Sequence, residues 1–245
     1  MALFFGGARR YIALLVAALL IALVAVLWTA PRWAVPHLAK RFPGCIYTVE
    51  SSAPVIGLTI DDGPDSSTTP AILRELRDHD AHATFFLISG NVPGNESIVT
   101  AMVEEGNEIG NHLTRDEASI GLSPAAFDSA LVHAGRVLSG FAPVRWARPG
   151  GGRYDRRMLM TMRNRGYECA LGSIYPYDAE LPSSRLSAAF VLRHARPGAV
   201  IVLHDGKARG RRTAAVLHRV LPVLRQRGLR VVTLSELTAP PQRTR

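Results

Sequence analysis

The sequence predicts an α/β fold, a (β/α)7 barrel preceded by one N-terminal transmembrane helix. Three observations support this. An uncharged apolar run occupies residues 11–30; short apolar runs then alternate with amphipathic stretches; and charged or polar residues gather just after several of those runs. Strands separated by helices of this length pair in parallel through right-handed crossovers. About seven such units suit a closed or nearly closed barrel; an open doubly wound sheet is the alternative, although no GxGxxG turn follows the first strand.

No charged residue falls between Tyr11 and Pro31, and Ile12 to Trp28 is almost entirely Ala, Leu, Val and Ile. At about 1.5 Å per residue such a run crosses a hydrocarbon core of about 30 Å, with Trp28 and Trp33 at interfacial positions. A cleaved secretory signal has a shorter apolar region, and cutting after Ala30 would put Trp28 at the small-residue position. An uncleaved anchor over 11–30 is therefore expected, with 1–10 as its cytoplasmic N-terminus. Arg9 and Arg10 before the span nearly balance Arg32, Lys40 and Arg41 after it, so charge alone does not orient it. Residues 31–53, with Pro36, Pro43 and Gly44, read as a juxtamembrane linker.

Strands are predicted at Val55–Ile60, Ala83–Ile88, Glu108–Asn111, Val144–Ala147, Glu168–Leu171, Ala199–Leu203 and Leu229–Leu234. Helices are predicted between them at Thr69–Asp78, Ser97–Glu105, Ala125–Leu138, Asp155–Arg165, Arg185–His194 and Arg212–Arg227. Ser123 and Pro124 supply a cap and a first-turn residue for the third helix. Residues 238–245 form a polar tail.

The net charge of +9 is concentrated at the start: residues 1–41 hold five basic and no acidic side chains, leaving 24 basic and 20 acidic beyond them. That mild excess reads as a solvated surface, and no basic stripe interleaved with aromatics argues for a nucleic-acid partner. Cys45 and Cys169 make no CxxC pattern; they are either a disulfide or two buried thiols.

In either architecture ligands collect at the carboxyl ends of the strands. There the sequence places Asp61-Asp62-Gly63-Pro64, Asn111-His112 with Asp116 four residues on, Arg148-Pro149-Gly150-Gly151-Gly152, and His204-Asp205. Singly, each has an ordinary explanation as a turn, a loop or a packed histidine. Their recurrence at one end of successive strands points instead to a metal site with an acid and a base.

Together Thr59-Ile60-Asp61-Asp62-Gly63-Pro64, His112 with Asp116, Arg148-Pro149-Gly150-Gly151-Gly152 and Leu203-His204-Asp205 resemble the ordered motifs of the polysaccharide deacetylase family, the NodB homology domain. The resemblance spans roughly residues 54–237. It implies a distorted barrel and a metal-dependent hydrolase that removes N-acetyl groups from an amino-sugar polymer, peptidoglycan or chitin-like. A deformylase, an O-ester deacetylase and a non-catalytic wall-binding protein are the alternatives. It further implies Asp61 as general base and Asp62 and His112 as ligands of a divalent cation, zinc first, with cobalt, nickel or manganese as alternatives. The family usually has histidine where this chain has Asp116, which gives an expected Asp-His-Asp site. Arg148 would hold the base, the Gly151 amide would support the oxyanion, Leu203 would line the acetyl-methyl pocket, and His204 would be the acid, oriented by either Asp178 or Asp205. The implied partners are an acetylated glycan and, through the anchor, a cell membrane, with the catalytic domain on the extracytoplasmic side.

Overall fold

The computed structural model describes residues 10–20, 22, 34–41, 43–51 and 53–240. The chain divides into two units between Pro43 and Gly44. In the first, residues 10–20 and Ala34–Arg41 are helical. No helix among the described residues is long and apolar enough to cross a membrane; of the predicted 11–30 span, residues 21 and 23–30 lie outside the described residues.

In the second unit, β2 (Val55–Asp61) is buried at every residue and is the axis of the sheet. It pairs in parallel with β3 (Thr84–Leu87), β7 (Val200–His204) and, at its start, β8 (Arg230–Val232). The order β1-β6-β5-β4-β3-β2-β7 is completed by β1 (Cys45–Ile46), β4 (Glu108–Asn111), β5 (Trp146–Ala147) and β6 (Glu168–Ala170). Helices α1 (Thr69–Asp78), α2 (Glu96–Glu104), α3 (Pro124–Leu138), α4 (Arg156–Asn164), α5 (Ser184–His194) and α6 (Lys207–Gln226) alternate with the strands, and α7 (Leu234–Thr238) ends the unit. The amphipathic spacing in α1 buries Ile72, Leu73 and Leu76; each fully buried side chain of this size contributes about 1.5–3 kcal/mol. Ser123 caps α3 by accepting from the Ala126 amide, with Pro124 in the first turn as the sequence predicts.

The sheet is an open, curled, parallel half-barrel rather than a closed seven-unit ring. Among the described residues its seam carries isolated bridges, Ile174 to Ile201 and Thr48 to Ala199, rather than a continuous ladder. β6 stops at Ala170, and beyond it Gly172 passes so close to β7 that a Cβ there would meet Val202 Cγ2 at 2.4 Å. Residues 45 and 46, assigned from sequence to the linker, form instead the edge strand that pairs with β6, and Cys45 is disulfide-bonded to Cys169. Two further differences follow from helix starts: Leu234 begins α7, and α6 begins at Lys207 rather than Arg212.

Inside the curl Phe86, Trp146, Ala170, Val200 and Leu234 form one apolar cluster. Glu108 sits among buried polar groups: it accepts from Thr84 Oγ1 at 2.7 Å and from Trp146 Nε1 at 2.9 Å. The register aligns the carboxyl ends, with Asp61 opposite His204, Leu87 opposite Asn111, and Asn111 opposite Ala147. His112 and Arg148 therefore each stand one residue beyond a matched pair.

Candidate active site

Successive residues of a strand point to opposite faces, yet Asp61 and Asp62 both line one cleft of about 500 Å³. Asp62 achieves this with a left-handed backbone, φ 75°, a conformation that aspartate tolerates better than bulkier residues. Its carbonyl accepts from Asn91 Nδ2 at 2.8 Å.

Asp61 is buried and its Oδ1 accepts from Arg148 Nη1 at 2.5 Å. The same Nη1 donates to Thr59 Oγ1, Arg148 Nε donates to the Ala170 carbonyl at 2.8 Å, and Nη2 donates to the Leu171 carbonyl. The guanidinium also lies 4.0 Å over the Phe86 ring. Burial lowers the Arg148 pKa, and the Asp61 charge opposes that fall without cancelling it. An arginine with every face occupied is a fixed support rather than a mobile surface charge.

His112 Nδ1 lies 2.7 Å from the Arg148 carbonyl. A carbonyl only accepts, so Nδ1 carries the hydrogen and Nε2 faces Asp62 Oδ1 at 3.5 Å and Asp61 Oδ2 at 4.0 Å. Burial would push the His112 pKa down, and the Asp61 and Asp62 charges reverse this and raise it. For Asp62, burial opposes and the His112 contact outweighs it, so its pKa is lowered. Nε2 and two buried carboxylates facing one another call for a positive charge among them, a proton or a cation. Asp62 Oδ2 is buried without a hydrogen bond; Arg209 Nη1 is 2.9 Å away, close enough for an ion pair but without hydrogen-bond alignment. Asp62 and His112 thus fit a divalent cation, with the His112 ring held from behind as metal-binding imidazoles are.

Asp116 does not complete a three-ligand cage. Its side chain is 60% exposed, and its Oδ2 is 2.7 Å from Arg209 Nη2. Among the described residues no three His, Cys, Asp or Glu side chains converge on a metal position. The sequence reading missed Arg209, although a signal existed. It lies in the first turn of a helix, where the dipole disfavours a cation unless a carboxylate answers it.

His204 forms the opposite wall. Its Nδ1 is 3.1 Å from Asp178 Oδ1, its backbone amide donates to Asp178 Oδ2 at 2.9 Å, and the Tyr175 ring meets it edge-on at 5.5 Å. Burial lowers the His204 pKa, but the Asp178 hydrogen bond and charge, helped by Asp61 and Asp62, raise it to about 9. Of the two aspartates left open by sequence, Asp178 is the one on His204. Asp205 instead accepts from Thr68 and Thr69 hydroxyls at 2.6 and 2.5 Å and from the Gly206 amide, tying the end of β7 to the start of α1. Its pKa is raised, burial outweighing those bonds.

Leu203 is also displaced from its expected place. It is 1% exposed and packs with Leu58, Val191 and Val216 between the sheet and its helices. Strand alternation requires this: His204 and Val202 share the cleft face, so Val202 lines the cleft and Leu203 cannot. Gly151 does line it, with φ 72° and room for a side chain, since an added Cβ would meet only Ala118 at 3.6 Å. Gly150 has no such room, its Cβ position being 2.2 Å from the Glu117 carbonyl oxygen.

The polysaccharide deacetylase family model matches residues 48–170. A peptidoglycan-N-acetylglucosamine deacetylase of Bacillus cereus is 32% identical over 195 residues, covering 78% of this chain and 91% of that protein. Among solved structures, the Bc1960 peptidoglycan N-acetylglucosamine deacetylase superposes with a TM-score of 0.76 at 25% identity, covering 82% of this chain and 95% of that one. A family 4 acetyl xylan esterase from Clostridium thermocellum, solved in complex with a cobalt ion, gives 0.69 at 29% identity, covering 75% and 89%. With half the chain matched by the family model and the fold shared over 82% of it, this protein belongs to the polysaccharide deacetylase family and is a hydrolase acting on carbon–nitrogen (amide) bonds.

Proposed function

We propose that this chain removes N-acetyl groups from an amino-sugar polymer, peptidoglycan or a chitin-like glycan, with Asp61 as base and His204 as acid. The observation that carries this reading is the pairing of Asp61 with His204 across adjacent strands, each backed by its own buried partner, Arg148 and Asp178. Asp62 and His112 would hold a divalent cation, zinc first and cobalt, nickel or manganese as alternatives, which when bound polarises the acetamide carbonyl and acidifies the attacking water. Asp61 takes the water's proton, oriented by Arg148 so that Oδ2 faces the cleft. His204, kept protonated near neutral pH by Asp178, gives its proton to the departing amine. Val202, Leu171 and Tyr175 supply apolar surface for the acyl group and sugar, and the Gly151 amide supports the oxyanion.

The extracytoplasmic side of a membrane is the proposed location, with residues 11–30 as the single-pass anchor. The Cys45–Cys169 disulfide supports an oxidising compartment.

Acetate release from acetylated glucosamine oligomers and purified cell wall, with and without chelator, is the direct test. Chelation should abolish release. Asp61→Asn should keep the metal and fold and lose about 10²–10⁴-fold in rate. A metal-loaded protein that frees neither acetate nor formate from any such substrate would sink the proposal; Asp61→Asn losing its metal would reverse the roles of the two aspartates.

A further inference from the structure

Arg209 takes up both Asp62 and Asp116, two of the three side chains that the sequence assigns to the metal. Nη1 is 2.9 Å from Asp62 Oδ2 and Nη2 is 2.7 Å from Asp116 Oδ2, so one planar group spans a buried and an exposed carboxylate. The bridge stands where two clefts meet. The cleft holding His204 and a second, of about 750 Å³, beside Asp65, Asn91 and Lys207, share Asp62, Asp116 and Arg209 as lining.

Two features make this contact one that can be exchanged. The contact to Asp62 is an ion pair without hydrogen-bond alignment, leaving Oδ2 electrostatically satisfied but not geometrically locked. The Arg209 side chain is 32% exposed, so water can take over its donors when it leaves. Arg148 is the contrast, being 2% exposed and bonded to Ala170, Leu171, Thr59 and Asp61 at once.

We propose that Arg209 is a built-in counter-ion that competes with the divalent cation for Asp62 and Asp116, so that metal binding releases the guanidinium and frees Asp116 to become the third ligand. The inference rests on the metal-dependent reading above. A guanidinium and a divalent ion cannot both sit within contact of one carboxylate oxygen without repelling each other. The chain therefore holds its metal less tightly than its carboxylates alone would, and exchanges it readily. Asp116 is what makes the arrangement work, because a neutral histidine at that position would give Arg209 no second carboxylate to grip.

The test is metal affinity, measured for Zn²⁺ and Co²⁺ by competition with a chelating dye, with the Co²⁺ absorption spectrum reporting the ligand set. It uses the wild type, Arg209→Gln, Asp116→Asn and the double variant. Arg209→Gln should bind about tenfold or more tightly than the wild type, the scale of coupling between two ligands that oppose each other. That gain should be smaller on the Asp116→Asn background, where only the Asp62 contact is released, and the Co²⁺ spectrum should differ between Arg209→Gln and the double variant. Arg209→Lys keeps the charge but cannot bridge both carboxylates, and should fall between; it decides the matter if Arg209→Gln does not fold. Unchanged or weaker binding in the Arg209 variants overturns the proposal, as does a gain that Asp116→Asn leaves undiminished. If the wild type binds metal and the variants bind no better, only the role of Arg209 fails. If no form binds metal, the metal-dependent reading fails with it.

Discussion

His204 shows how one neighbour sets the working range of a proton donor. Its pKa rises to about 9 because the Asp178 carboxylate outweighs burial. The rate should therefore hold through neutral pH and fall as the pH passes about 9, when the acid loses its proton. Asp178→Asn removes the raising charge and leaves burial, which lowers the pKa, so the alkaline limb of the kcat profile should move to lower pH. An unmoved limb would assign it to another group. The same shift contributes stability that is fully present below the unfolded imidazole's 6.5 and is lost as pH rises through about 9.

At the scale of elements, the first two turns of α6 serve both walls of the cleft. Arg209 reaches Asp62 and Asp116, Arg212 Nε donates to the Asp178 carbonyl at 2.8 Å, and Thr213 Oγ1 donates to the His204 carbonyl at 2.7 Å. Arg212 touches no reacting group and acts as a positioning residue for the Asp178 loop. Arg212→Ala should lower kcat with little change in KM and move the alkaline limb in the same direction as Asp178→Asn, by less. Arg212→Lys should recover part of both. A change in KM alone would mean that Arg212 meets substrate instead. The sequence predicts this helix from Arg212, whereas in the structure it starts at Lys207, directly after Gly206 with φ 86°. The five residues lost from that reading include Arg209.

Over the whole molecule, the half-barrel depends on a staple at its edge. The strand β1 has two residues, too few to hold by its ladder bonds, and the disulfide to β6 closes a sequence separation of 124 residues. Cys45→Ser or reduction should cost about 2–5 kcal/mol, read as a lower midpoint in urea unfolding. An unchanged midpoint would mean that β1 is held by packing alone.

Much of this molecule is legible in residue order. Period-2 and period-3.6 patterns located β2 to β8 and α1 to α6 to within a few residues, because burial on one face forces those spacings. Turn residues after the strands gave Asp61, Asp62, His112, Arg148 and His204, since a parallel sheet sends its loops to one end. What residue order could not supply was direction and long-range partnership. Leu203 and His204 are neighbours in sequence and face opposite sides of a strand. Asp205 is adjacent to His204 along the chain and Asp178 is 26 residues away, yet the path of the loop after Ile174 puts Asp178 against it. Cys45 and Cys169 become partners only through the β1–β6 register. The family resemblance put Asp116 at the third-ligand position, and in this structure it is paired with Arg209, 93 residues away. Local pattern thus determined which residues stand at the cleft. The pairing of charges across it was decided by the fold, because Coulomb attraction depends on distance in space and not on separation along the chain.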